Sequence, residues 1–126
     1  MIAVFKSHYS LGKSILTLAK QGESEANEPD SIFDICKDAQ IKDLYLIEDS
    51  FAGFLEAYEN AEAAKVNLRF GVRLYMTDDM SKKDDESLIS DHKVVIFMNN
   101  SAAYKSLTKI YTKAATDGFY YYPRID

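Results

Sequence analysis

A single cysteine, Cys36, excludes an internal disulfide in this 126-residue chain. Cys36 falls on the apolar positions of a helical pattern, so it is expected to be a buried thiol, not a nucleophile or ligand, in a reducing compartment. Histidine is scarce as well. His8 and His92 are separated by most of the chain and belong to no His-rich motif, and histidines so placed are more often surface or hydrogen-bonding groups than metal ligands. Long apolar runs are missing too. No stretch approaches the ~20 residues needed to cross a bilayer, and Lys6, Ser7 and His8 stop the opening run Ile2–Phe5 before the core of a secretion signal could form. The expectation is a soluble cytoplasmic protein of a bacterium or of a phage-infected one, with no membrane partner. Finally, there is no excess of basic charge. Fifteen Lys and Arg face 20 Asp and Glu, a net charge of -5, so direct binding to nucleic acid is not expected, because phosphate attraction needs clustered cations uncovered by acids.

What is present is ample core material. Hydrophobic residues make up 47% of the chain and aromatics 13%, enough for one compact domain over residues 1–126. Four short apolar runs read as strands: Ile2–Phe5, Leu44–Ile47, Leu68–Tyr75 and Val94–Met98. Their near-continuous apolar character suits strands covered on both faces. Helical patterns lie between them. Ser10 can cap a segment with Leu11, Ile15, Leu16 and Leu18, and Asp30 one with Ile32, Ile35, Cys36 and Ala39. Ser50 can cap a helix with Phe51, Phe54, Leu55 and Tyr58 on one stripe, and Ser101 one with Tyr104, Leu107, Thr108 and Tyr111, which Gly118 would stop. The polar stretches Gln21–Pro29 and Thr77–Glu86 read as solvated loops. Strands alternating with helices predict an α/β protein of parallel βα units.

Several segments carry a resemblance. Ala102 to Leu107 followed by Gly118-Phe119-Tyr120-Tyr121-Tyr122-Pro123-Arg124-Ile125-Asp126 resembles a helix and loop of the polymerase-and-histidinol-phosphatase (PHP) domains of bacterial DNA polymerase III alpha subunits. Leu46-Ile47-Glu48-Asp49-Ser50-Phe51-Ala52-Gly53-Phe54, Ser7-His8-Tyr9-Ser10-Leu11 and Gly71-Val72-Arg73-Leu74-Tyr75 are similar to further stretches of that family in the same order. The resemblance implies the first half of a PHP (β/α)7 barrel, incomplete here. A closed barrel of strands and helices takes about 250 residues, so the chain reads either as part of a longer or split polymerase or as a free-standing product that covers an open sheet edge by homo-oligomerising.

PHP enzymes hold metal ions at the C-terminal ends of their strands, to polarise a phosphate ester and activate water. Carried over position by position, the family's His-x-His pair falls on Val4 and Lys6, neither of which can serve as a ligand. The next acidic ligand falls on His8, the Asp-His pair on Glu48 and Asp49, the third-strand glutamate on Arg73, and a later His on Lys93 or, one residue away, on His92. The resemblance thus implies that Lys6, Arg73 and Lys93 bring positive charge to Glu48 and Asp49, so that a salt-bridge cluster replaces the metal cluster. No cofactor is expected. A divalent zinc, manganese or iron would be bound only if His8, Glu48, Asp49 and His92 still act as ligands.

Three functions follow from the resemblance. The first is a non-catalytic structural or docking module in DNA replication, with the rest of a replicative polymerase or a proofreading exonuclease as partner and Phe119, Tyr120, Tyr121 and Tyr122 as the contact surface. The second is a metal-dependent phosphoesterase or exonuclease. The third is a phage-encoded regulator derived from a polymerase fragment.

Overall fold

The computed structural model describes residues 2–12, 16–24 and 29–126. The chain forms two compact units, Met1–Val72 and Arg73–Asp126.

The first unit holds β1 (Ala3–Phe5), α1 (His8–Leu11), α2 (Ile32–Asp38), β2 (Asp43–Glu48), α3 (Phe54–Ala64) and the first six residues of β3 (Asn67–Met76). β1 pairs in parallel with β2, with Ala3 opposite Leu44 and Phe5 opposite Leu46. β2 pairs in parallel with β3, from Asp43 opposite Asn67 to Glu48 opposite Val72. α2 packs against α3. The core gathers Leu18, Ile32, Phe33, Cys36, Leu44, Leu46, Ala57, Ala61, Phe70 and Val72, all at most 2% exposed. Phe54 meets Phe70 edge-on with ring centroids 5.0 Å apart, a geometry that suits the aromatic quadrupoles.

The second unit holds the rest of β3, α4 (Asp85–Ile89), β4 (His92–Phe97), α5 (Ser101–Thr116) and β5 (Arg124–Ile125). β5 runs parallel to β3, with Tyr75 opposite Arg124 and Met76 opposite Ile125, and β4 is β3's neighbour in the strand order. α5 packs on β5, with Leu107 and Ala114 as its buried residues. Just past the helix, position 118 has room only for glycine: a Cβ there would lie 1.9 Å from the Arg124 carbonyl oxygen.

The α/β class and the parallel order agree with the sequence reading, and all four expected strands are present. The helix starts differ. The segment after Ser10 does not continue the helix where it is described: Leu11 closes α1, and Gly12 and residues 16–20 are non-helical. α1 is a single turn capped by Ser7, whose hydroxyl accepts from Tyr9 N, and Ser10 lies inside it. Leu16 is non-helical, and Thr17 bridges Ser31; Ile15 lies outside the described residues. Ser31, not Asp30, caps α2, and Asn100, not Ser101, caps α5. α3 begins at Phe54 behind Gly53 with no side-chain cap, and its buried face is Ala57 and Ala61, while Leu55 and Tyr58 stay exposed. The stretch Thr77–Glu86 runs into α4, capped by Asp84 through Ser87 N. Residues 25–28 of the other polar stretch lie outside the described residues. The middle of β3 is covered on both faces, with Phe70, Gly71 and Val72 buried in succession, but β2 alternates between buried and part-exposed positions, and Val4, Val95 and Phe97 are exposed. Among the described residues, no helix is long and apolar enough to cross a membrane.

Cys36 is buried, and burial pushes its thiol above the usual range. The unfolded thiol therefore ionises first as pH rises. Its contribution to stability is full below about pH 8.5, the ordinary thiol value, and is lost as pH climbs towards the raised folded value. The urea midpoint of the wild type is expected to fall between pH 7.5 and 9.5 by more than that of Cys36→Ala. Equal falls would contradict this.

Candidate functional site

The parallel register of β1 and β2 fixes the site. With Phe5 opposite Leu46, the residues just beyond β1 lie beside the end of β2, and Ser7 reaches Glu48. One Glu48 carboxylate oxygen accepts from Ser7 N at 2.5 Å, and the other accepts from the Ser7 hydroxyl at 2.8 Å and the Ser10 hydroxyl at 3.0 Å. Glu48 is only 1% exposed, so these three donors replace the water it has lost. Ser10 Oγ also accepts from Asp49 N at 3.0 Å, which ties α1 to the turn after β2. Asp49 itself is paired with Lys6, whose Nζ lies 2.8 Å from Asp49 Oδ1.

Next to this knot, His8 is half-buried. Its Nδ1 is buried without a hydrogen-bond partner, and its ring lies 4.3 Å from that of Tyr9. The Tyr9 hydroxyl donates to Glu56 at 2.5 Å, and this bond raises the phenol above its ordinary range. Val4 is exposed.

Of the residues singled out from sequence, the structure brings together Lys6, Glu48 and Asp49, although Glu48 takes serine donors and not an ammonium. Arg73, His92 and Lys93 belong to the second unit. Arg73 is part-buried on β3, His92 is exposed at the start of β4, and Lys93 Nζ stands 6.0 Å from the centre of the Tyr75 ring. Among the described residues, no group of three or more His, Cys, Asp or Glu side chains converges as a metal site.

The second unit contains a polar centre that sequence reasoning missed. Arg124 is fully buried. Its Nε donates to Gly118 O at 3.0 Å, one terminal nitrogen to Ser87 Oγ at 3.0 Å, and the other to Lys82 O at 2.7 Å. The nearly buried Asp91 carboxylate lies 4.0 Å from the guanidinium and accepts from the Tyr122 hydroxyl at 2.9 Å. The planar fork of five donors lets one side chain hold the loop before α4, α4 itself and the end of α5. The signal in the sequence is the Pro123-Arg124-Ile125-Asp126 stretch, which belongs to the family resemblance.

That centre also divides the aromatic tail. Tyr122 stacks on Tyr75 with centroids 3.8 Å apart, and Tyr120 donates to Asp85 at 3.2 Å. Burial, followed by these carboxylate bonds, raises both phenols. Phe119 is 51% exposed and Tyr121 73%.

The PHP domain family matches residues 6–126, and the chain belongs to that family. It is related to the DNA polymerase III subunit alpha of Borreliella burgdorferi, 32% identical over 76 residues. That match takes in 59% of this chain and 7% of the relative's length.

Proposed function

We infer that this is a PHP domain without catalysis of its own, serving as a structural and docking module of a DNA polymerase III alpha-like replication protein in the cytoplasm. The observation that carries the reading is the state of Glu48. Both its oxygens already have donors, two hydroxyls and a backbone N–H, and a metal would have to displace them from a buried site. The neighbouring donor set points the same way. Lys6 sets an ammonium 2.8 Å from Asp49, which favours the carboxylate without a metal and opposes an incoming dication, and Val4 offers no ligand atom. The residues present therefore do not fit the family's metal cluster, and no hydrolytic step is assigned to them.

A docking role is supported by the tail. Asp85 holds Tyr120, and Asp91 and Tyr75 hold Tyr122, leaving Phe119 and Tyr121 outward on a braced loop. Exposed aromatics on a rigid support suit a protein contact, and the rest of a replicative polymerase or a proofreading exonuclease is the partner class that fits the relationship. The catalytic alternative is tested with a chromogenic phosphate ester and added manganese. The expected result is no turnover above the buffer blank. Turnover abolished by Glu48→Ala with Asp49→Ala would replace this reading with that of a phosphoesterase.

A further inference from the structure

The first unit carries a groove of about 520 Å³ at the opposite end of its strands from Glu48. α2 and α3 finish there in the same way. Ile41 N donates to Cys36 O at 2.8 Å and Val66 N to Ala61 O at 3.0 Å, with Gln40 (φ 55) and Lys65 (φ 56) in the left-handed region. This six-to-one closure is the Schellman ending, and it lays Ile41 and Val66 beside Phe33 as an apolar floor. Lys37, Lys42 and Lys65 form an exposed rim, and among the described residues no Asp or Glu lines the groove. Each helix C-terminus offers about half a negative charge, which three ammoniums exceed, so the described lining is cationic in a chain of net charge -5.

The second unit presents a matching projection. Ile89, at the end of α4, is 85% exposed, more than any other large apolar side chain described. The exposed acids Asp84, Asp85 and Glu86 lie at the other end of the same short element. An apolar tip beside a cluster of acids is what a greasy, lysine-rimmed groove accepts.

We propose that Ile89 and the acidic turn of α4 from one copy of the chain dock into the Lys37, Lys42 and Lys65 groove of another. Knob and socket are different surfaces, so each copy both gives and receives. One side chain and a few rim charges make a small interface. Association is therefore weak, with a dissociation constant on the order of 0.1–1 mM, and it weakens as salt is added.

Sedimentation velocity across this concentration range tests the proposal with the full chain. The wild type shows a mass that rises with concentration. The groove variant Lys42→Glu with Lys65→Glu and the knob variant Ile89→Asp, all at exposed positions, each keep the wild-type circular dichroism and associate at least tenfold more weakly. An equimolar mixture of the two variants forms pairs and nothing larger, because only one intact contact is possible between them. A wild type that stays monomeric throughout the range, association that survives either variant, or a mixture that stays monomeric would each overturn the proposal. A monomer that instead captures an acidic, isoleucine-bearing peptide would assign the groove to a different partner and would also overturn it.

Discussion

Arg124→Met is expected to remove about 3–5 kcal/mol of stability, the usual cost of breaking a buried ion pair by deleting one partner. Three acceptors lose their donor at once: the carbonyls of Gly118 and Lys82 and the Ser87 hydroxyl. The Asp91 carboxylate, with its side chain only 2% exposed, keeps the Tyr122 hydroxyl but loses its compensating cation. Natural domains hold only about 5–15 kcal/mol in total, so the variant lies close to unfolding at room temperature. Urea titration followed by far-ultraviolet circular dichroism measures the loss, and failure to fold without urea counts as the same result. Arg124→Lys recovers only part of it, because a single ammonium cannot reach three acceptors spread around a planar fork. A loss below about 1 kcal/mol, the net value of one ordinary hydrogen bond, would show that the buried fork does not hold the second unit together.

Glu48→Ala is the second large effect, expected at about 3 kcal/mol, because Ser7 N and the hydroxyls of Ser7 and Ser10 lose a buried acceptor. Glu48→Gln keeps the shape and one acceptor oxygen, and the serine hydroxyls can turn to accept from the new amide. Its cost is about 1 kcal/mol. The sign is informative. A carboxylate retained for metal binding is commonly a burden on the metal-free fold, and removing it stabilises; a carboxylate retained as a structural acceptor stabilises by being there. Thermal unfolding of the two variants beside the wild type separates the cases, and a rise in midpoint for Glu48→Gln would favour the ligand.

The strands were legible because apolar runs such as Leu44–Ile47 and Val94–Phe97 leave few other places to go. What was not legible was which face each run would leave open, since that depends on the neighbouring layer and not on the run. Helix starts differ by three residues at α1 and α3, and by one where capping residue types stand together, as at Asp30 and Ser31 or Asn100 and Ser101. Any of them can accept from the first turn, and packing decides between them. At the site, the Lys6–Asp49 pair is legible only through the family resemblance, which carries both residues to one place. The serines around Glu48 are not legible, because Ser7 meets Glu48 only through the register of two strands about 40 residues apart. Arg124 was passed over for a different reason: arginine is mostly exposed, and nothing local marks one whose acceptors come from Lys82, Ser87 and Gly118.

The central claim is that this PHP domain has exchanged a metal centre for a hydrogen-bonded carboxylate and an ion pair. Elemental analysis of the chain, purified without chelator and then equilibrated with zinc, manganese or iron and desalted, tests it most directly. The account predicts far less than one ion per chain for each metal, with no change in thermal midpoint. One or more ions per chain, lost together in Glu48→Gln, would contradict it.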